Sequence, residues 1–159
     1  MGIHDLSFRQ LRGDEQVPYD LLLLADPSKA IIEAYLDTSK VFVAEKDQKV
    51  IGAIVLSPLT NIMTEIKNVA VTPELQGQGV GKYLIENAIQ FSIQKGYKSI
   101  CIGTANSSVG QLYLYQKLGF EMNEIKKDFF IDNYPEPIHE NGIRAKHMIV
   151  LTRLLEEGL

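Results

Sequence analysis

The apolar residues of the chain change their period abruptly at a glycine-rich turn, residues 76–82, and this change constrains the fold more than any other feature. Before the turn, residues 65–71 form an apolar run that is typical of a strand and stops at Thr72-Pro73. After it, apolar residues recur at helical spacing through residues 80–95, and Lys95-Gly96 provides a basic last turn and a glycine stop. The sequence therefore predicts a strand, a tight turn and a helix in direct succession.

The rest of the chain adds strands and helices in a definite order. Asp47-Gln48 separates two β-rich runs as in a hairpin, Ser108 and Gln111 have capping-box spacing, and residues 131–143 form a proline-containing loop. The predicted strands are residues 6–12, 41–44, 50–56, 65–71, 99–103, 120–130 and 148–154, and the predicted helices are residues 17–25, 28–36, 80–95 and 108–118. Because the first three long strands are consecutive, we predict an α/β fold with a mixed sheet rather than a doubly wound one.

Length and charge narrow the class of protein. A chain of 159 residues is the size of one domain, so we treat residues 1–159 as a single unit. A net charge of −4 argues against nucleic acid as a partner, because such binders carry basic surfaces. The longest apolar run, residues 21–25, is far too short to span a membrane, and no signal peptide is apparent. We therefore expect a cytoplasmic protein.

Metal and disulfide chemistry have little support. Cys101 is the single cysteine, which excludes an intrachain disulfide. It lies in an apolar run without a flanking base, so we predict an inert core residue rather than a nucleophile. His4, His139 and His147 are far apart and lack the spacing of metal ligands, so we predict no metal site.

The glycine-rich turn has the properties of an anion-binding site. Its glycines let the backbone approach a ligand, and the following helix adds free N–H groups and the positive end of its dipole. We predict that it binds a pyrophosphate through residues Gln76, Gly77, Gln78, Gly79, Val80, Gly81 and Lys82. A dinucleotide fingerprint starting at Gly77 fails at Lys82, and a Walker A loop fails at Gln76 and Tyr83. A turn that binds no ligand remains the alternative.

Three motifs resemble those of the GNAT (GCN5-related) N-acetyltransferase superfamily. Gln76, Gly79 and Gly81 match its Q/R-x-x-G-x-G/A signature, residues 65–74 resemble the strand that precedes it, and residues 114–120 match L-Y-x-K-L-G-F. Residues 103–108 and 128–143 further resemble bacillus-type members. The resemblance implies a mostly antiparallel sheet that is splayed at the cofactor strand, with helices on both faces. It also implies acetyl-CoA as the cosubstrate.

The resemblance also assigns residue roles. Val69, Ala70 and Val71 hold the positions at which the family's central strand binds the pantetheine arm, although they also suit a core. Glu65 lies where some relatives place a general base, and a surface glutamate at a strand entry is the alternative. Tyr115 matches the tyrosine that donates a proton to the CoA sulfur. Tyr113 competes with it, but two residues on a helix are about 200° apart, so only one faces the sulfur.

The residue that would contact the cofactor after the predicted strand of residues 99–103 differs from that of many family members. Many relatives place an asparagine that touches the cofactor seven residues before the motif tyrosine, and here that position is Ser108. Asn106 lies two residues earlier. Either Asn106 restores the cofactor contact or Ser108 replaces it.

The predicted loop near the C-terminus is the candidate acceptor-binding segment. Residues 128–143 contain four carboxylates and no lysine or arginine, which would attract a cationic amine. Asp128, Phe130 and Tyr134 are the candidate substrate contacts, and a solvated loop without a site is the alternative. Two functions stay open, an acetyltransferase acting by direct attack in a ternary complex and a non-catalytic acetyl-CoA sensor. A third function, a nucleotide-phosphate binder, requires that the match of the turn to the GNAT signature be coincidental. A homodimer also stays open.

Overall fold

The computed structural model describes residues 5–156. The helices are α1 (Tyr19–Ala25), α2 (Lys29–Leu36), α3 (Val80–Gln94), α4 (Val109–Lys117) and α5 (Phe129–Asn133). The strands are β1 (Ser7–Gln10), β2 (Lys40–Lys46), β3 (Lys49–Pro58), β4 (Met63–Val71), β5 (Ser99–Ala105), β6 (Glu121–Lys126), β7 (His139–Glu140), β8 (Ile143–Arg144) and β9 (Met148–Leu154). A short 3-10 turn, Pro73–Leu75, leads from β4 into the glycine-rich turn.

Seven strands form one mixed sheet in the order β1-β2-β3-β4-β5-β9-β6. Every neighbouring pair in this sheet is antiparallel except β4 and β5, which are parallel. Antiparallel neighbours need only short turns, whereas the parallel pair requires a crossover, and α3 provides it. The prediction of a mixed α/β sheet is confirmed.

Helices cover both faces of the sheet, and each face has its own hydrophobic core. Along β2, Phe42 and Ala44 pack toward α3, whereas Val41 and Val43 pack toward α1 and α2. Strands buried on both faces read as continuous apolar runs, which explains the composition of β2 and β3. At Gly52 on β3, a Cβ would lie 3.0 Å from Leu84 Cδ1 and 3.3 Å from Val80 Cγ1. Glycine there lets the first turns of α3 lie against the sheet.

Turn chemistry separates the correct predictions from the wrong ones. The β2–β3 hairpin is confirmed, with Asp47 and Gln48 both at positive φ, as a two-residue hairpin turn requires. The strand predicted through Phe129-Phe130 is wrong, because Asp128 adopts a left-handed conformation (φ 59°) that ends extended structure and α5 follows. The capping box is also wrong, because the Ser108 hydroxyl donates to Glu140 instead of capping α4.

Within residues 5–156, no helix combines the length and the apolar character needed to cross a bilayer.

Candidate functional site

A gap in the sheet opens between β4 and β5. The two strands pair only from Met63 with Ser99 to Ile66 with Ile102. Beyond this point β4 continues its pairing with β3 up to Val71, and β5 continues its pairing with β9 up to Ala105. The two strands therefore diverge, and the segment that contains Val69, Ala70 and Val71 borders the gap.

The glycine-rich turn lies at the end of β4. Gly77 and Gly79 have φ values of 76° and 91°, which bulkier residues rarely adopt, and Gly79 caps α3. The Gln76 side chain donates a hydrogen bond of 3.0 Å to the Val71 carbonyl, which attaches the turn to the strand. Among the described residues, none accepts a hydrogen bond from the backbone N–H groups of residues 77–82. Unpaired donors at a helix N-terminus are the kind of group that binds an anion such as a phosphate.

Tyr115 and Tyr113 occupy opposite environments on α4. Tyr115 is 7% exposed and packs against Phe120, whereas Tyr113 is 65% exposed. Burial raises the pKa of the Tyr115 hydroxyl, and the charge of Glu140 raises it further. The buried hydroxyl therefore stays protonated and can act as a proton donor.

Ser108 and Asn106 bind the segment that runs from β6 to β9. The Ser108 hydroxyl donates to Glu140 Oε1 at 2.9 Å. Asn106 Oδ1 accepts from the backbone N–H groups of Lys146 and His147, and its Nδ2 donates to the Arg144 carbonyl. The side chain of Asn106 is thus engaged by the loop backbone, and the structure gives it the role of a loop anchor.

Glu65 and Lys67 form an ion pair beside the gap. Lys67 Nζ lies 3.0 Å from Glu65 Oε1, and the side chains are 34% and 15% exposed. The register between β3 and β4 shifts here, since Val55 pairs with Asn68 and Leu56 with Ile66, which leaves Lys67 as the extra residue of a β-bulge. Glu65 lies on the sheet face covered by α1 and α2, and Tyr115 lies in the core on the α3 face. The two candidate catalytic residues therefore lie on opposite faces of the sheet.

Tyr134 reaches from the loop to α1 and completes a polar cluster on the α1 and α2 face. Its hydroxyl donates to Asp26 Oδ1 at 3.0 Å, and burial, together with the charge of Asp26, raises its pKa.

Asn68 Nδ2 donates to the Leu22 carbonyl and to Tyr35 Oη, and burial raises the pKa of Tyr35 to about 12. The Lys67 ammonium lies 6.0 Å from the centroid of the Tyr35 ring. We call Asp26, Tyr35, Glu65, Lys67, Asn68 and Tyr134 the polar cluster.

The other two candidate substrate contacts are placed differently. Phe130 stacks on Tyr134 with ring centroids 5.6 Å apart. Asp128 lies next to His147 instead, with its backbone N–H donating to Nδ1 and its carboxylate 3.7 Å away. Phe130 therefore supports the polar cluster through Tyr134, whereas Asp128 fixes the start of α5.

Cys101 is buried and lies beside Glu65 in the parallel pairing. Burial raises the pKa of its thiol to about 11, and the charge of Glu65 adds to this effect. A thiol at this pKa is a poor nucleophile at neutral pH. Across residues 5–156, no group of three or more His, Cys, Asp or Glu side chains is arranged to hold a metal ion, and His4 lies outside this range.

Several residues near the gap escaped the sequence-based interpretation. Asp26 falls between the predicted helices of residues 17–25 and 28–36, and Lys67 falls within the predicted strand of residues 65–71, so neither was a candidate site residue. Glu140 was one of four carboxylates in the loop, with nothing to distinguish it. A hollow of about 600 Å³ lies elsewhere, lined by residues such as Leu56, Phe91 and Tyr97, and includes none of the predicted site residues.

Comparison with known proteins gives consistent matches. The sequence model of the acetyltransferase (GNAT) family matches residues 3–120. The uncharacterized N-acetyltransferase YvbK of Bacillus subtilis (strain 168) is 45% identical over 133 residues, which are 84% of this chain and 86% of YvbK.

Two solved structures have nearly the same fold. A GNAT family acetyltransferase from Elizabethkingia anophelis with acetyl-CoA bound has a TM-score of 0.93 and 48% identity, over 95% of this chain and 99% of that one. A Bacillus subtilis acetyltransferase in complex with CoA has a TM-score of 0.90 and 41% identity, over 95% and 99% of the two chains. Both similar proteins bind the CoA group in a fold that this chain shares.

Proposed function

The chain belongs to the acetyltransferase (GNAT) family, and we propose that it transfers the acetyl group of acetyl-CoA to a primary amine that arrives as an ammonium cation. The reaction is a direct attack of the amine on the thioester in a ternary complex, without an acetyl-enzyme. The buried thiol of Cys101, with its raised pKa, is unsuited to carry an acetyl group.

The observation that carries this proposal is the gap between β4 and β5. Strand β4 loses its pairing with β5 after Ile66, three residues before Val69. Backbone groups of the segment Val69 to Val71 on the β5 side are therefore free to bind amides. Pantetheine is an amide-containing arm, and acetyl-CoA supplies the activated acyl group at its end. A strand edge inside a sheet is otherwise costly, which supports a ligand as its partner.

The glycine-rich turn fits the pyrophosphate of the same ligand. The N–H groups of residues 77–82 have no acceptor among the described residues, Gly77 and Gly79 have positive φ, and Lys82 adds a positive charge. Ser108, at the start of α4, is the polar side chain that we expect to contact the arm. Asn106 is less suited, because its amide is engaged by the loop.

Proton transfer is divided between the two faces of the sheet. We assign Glu65 as the general base, since an alkylammonium must lose a proton before its nitrogen can attack. We assign Tyr115 as the acid that protonates the leaving sulfur, because burial keeps its hydroxyl protonated. Tyr113 is exposed and is not suited to this role.

The polar cluster supports a cationic acceptor. Asp26 and Glu65 contribute carboxylates, and Tyr35 and Tyr134 contribute aromatic rings, the two kinds of group that attract an ammonium. The presence of the Lys67 ammonium in the same cluster indicates that it accommodates such a group.

Two measurements test the proposal. Acetyl-CoA at a hundred times its dissociation constant should stabilise the chain by about 2.7 kcal/mol and raise the unfolding midpoint by several degrees, unlike NAD or ATP. Release of the CoA thiol should then be followed with primary amines, including diamines, and with matched acids and alcohols. A midpoint shift without thiol release for any amine would indicate a sensor, and no shift at all would reject the proposal.

A further inference from the structure

The side-chain ammonium of Lys67 has the two kinds of neighbour expected around an acceptor amine. Its Nζ lies 3.0 Å from the oxygen of Glu65, the residue to which we assign the role of general base. The aromatic ring of Tyr35 lies 6.0 Å from the same nitrogen. A carboxylate and an aromatic ring are the partners expected for the ammonium of a substrate.

The period of the strand explains the position of Lys67. Residues two apart on a strand point to the same face, so Lys67 lies on the face of Glu65 and reaches its carboxylate. Lys67 is also the extra residue between the Val55–Asn68 and Leu56–Ile66 pairs, and this β-bulge places Asn68 on the same face, where it contacts Tyr35. Lys67 is the first β4 residue beyond the last pair with β5, so it lies where the gap begins.

Other lysines of the chain lack this environment. Within residues 5–156, Lys67 alone among the lysines has its Nζ within 4.0 Å of a carboxylate oxygen. Lys95 and Lys117 lie over aromatic rings, at 5.5 Å and 5.9 Å from the ring centroids, but have no carboxylate oxygen of the described residues within 4.0 Å. These two lysines therefore provide internal controls for purely chemical reactivity.

We propose that Lys67 is itself an acetyl acceptor, modified in cis by acetyl-CoA bound to the same chain. The inference rests on the proposed function, since it uses the same cosubstrate and the same base. Glu65 takes a proton from the Lys67 ammonium, and the free amine forms a C–N bond to the thioester carbonyl as the C–S bond breaks. Tyr115 protonates the leaving sulfur, and the second proton of the nitrogen returns to Tyr115 through solvent. One acetyl-CoA and the lysine ammonium thus give acetyl-lysine, CoA thiol and one proton.

The modification has a consequence for external acceptors. Acetylation removes the charge of Lys67 and with it the ion pair that occupies Glu65 Oε1. The carboxylate is then available to another ammonium. Acetylated protein should therefore turn over a cationic amine faster than unmodified protein, and the variant Lys67→Gln should resemble the acetylated form.

The experiment is incubation of the purified chain with acetyl-CoA without an amine, followed by peptide mapping by mass spectrometry. We expect Lys67 to gain an acetyl group at least tenfold faster than Lys95 or Lys117, at a rate independent of protein concentration. Glu65→Gln should slow the modification of Lys67 alone. Gly79→Val should reduce it to the rate of the two control lysines, because that variant should lose acetyl-CoA.

The outcomes separate this inference from the proposed function. Equal labelling of Lys67, Lys95 and Lys117, or a Lys67 rate that Glu65→Gln does not change, would overturn the inference. The inference is also overturned if Lys67 stays unmodified while acetyl-CoA binds and an external amine is acetylated. In that case the proposed function is retained. If acetyl-CoA fails to raise the unfolding midpoint, the proposed function fails as well.

Discussion

The glycine-rich turn and the polar cluster both adjoin β4 but are built in different ways. The turn consists of seven consecutive residues, 76–82, and its proposed binding groups are backbone N–H groups in a segment where Gly77 and Gly79 have positive φ. The polar cluster consists of side chains from α1, α2, β4 and the loop after β6. Its contact between Tyr134 and Asp26 joins residues 108 positions apart in the chain.

This difference determines what each region can specify. A backbone site depends on a few conformations, and the group that we propose for this one, the pyrophosphate, is carried by every acetyl-CoA molecule. A side-chain site depends on which residues the fold brings together, so substitutions can alter its selectivity without altering the fold. Substitutions in the turn should therefore affect cofactor binding, and substitutions in or around the cluster should affect the acceptor.

The largest effect is expected at Gly79. Gly79→Val places a β-branched residue at a φ of 91° and removes the orientation of the N–H groups at the start of α3. We expect acetyl-CoA affinity to fall about a thousandfold, from the loss of about two hydrogen bonds to the charged pyrophosphate at ~2 kcal/mol each. Isothermal titration calorimetry with acetyl-CoA measures this.

Gly96→Val is the matched control for Gly79. Gly96 has a φ of 85° at the opposite end of α3, with no atom within 4 Å of an added Cβ. Both variants should lose similar stability, but only Gly79→Val should lose the cofactor. Equal loss of affinity in the two variants would mean that the turn has no direct part in binding.

The second prediction concerns Tyr115. Tyr115→Phe removes only a hydroxyl, and we expect kcat to fall about a hundredfold with little change in the KM for either substrate. Because burial raises the pKa of Tyr115 above its ordinary value of 10.0, the wild-type rate should not decline through loss of this proton at pH 8 to 9. Tyr113→Phe, on the exposed side of the same helix, should keep full activity. The reverse result would exchange the roles of the two tyrosines.

The turn and most of the fold were predictable because their signals are local. Periodicity identified α3 and the central strands, and the glycine-rich sequence identified the turn in which Gly77 and Gly79 have positive φ. The role of this turn as an anion site stays a prediction. Local signals failed at Phe129-Phe130, where aromatic residues suggested a strand. The left-handed conformation of Asp128 ends the strand there, and no sequence pattern displayed it.

The polar cluster could not be predicted, for a physical reason. The bulge at Lys67, which places Asn68 on the face of Glu65, depends on the register between β3 and β4, and strand patterning does not specify that register to one residue. The hydrogen bond from Tyr134 to Asp26 depends on the path of the loop across the sheet. Sequence patterns indicate which residue types occur in these segments. Which residues they contact depends on the three-dimensional fold.

The third prediction separates a cofactor contact from a loop anchor at Asn106. Asn106→Ala removes the hydrogen bonds to Arg144, Lys146 and His147, at a cost of about 2 kcal/mol in stability. We expect the acceptor KM to rise about tenfold, because the loop that carries Tyr134 loses its attachment. The affinity for acetyl-CoA should stay within about twofold of wild type. Asn123→Ala, at an exposed position of β6, is the control, and a large loss of acetyl-CoA affinity would instead make Asn106 a cofactor ligand.

The smallest effect is expected at Tyr134. Tyr134→Phe keeps the ring that stacks on Phe130 and removes the hydrogen bond to Asp26, so the change should be about 1 kcal/mol. We expect the acceptor KM to rise about fivefold, with kcat and acetyl-CoA affinity unchanged. If the hydrogen bond between Tyr134 and Asp26 positions groups that bind the acceptor, Asp26→Asn should also raise the acceptor KM. The double variant should then change the binding free energy by less than the sum of the two single changes. Additive effects would mean that the residues act independently, and an unchanged KM in all three variants would remove this hydrogen bond from the acceptor site.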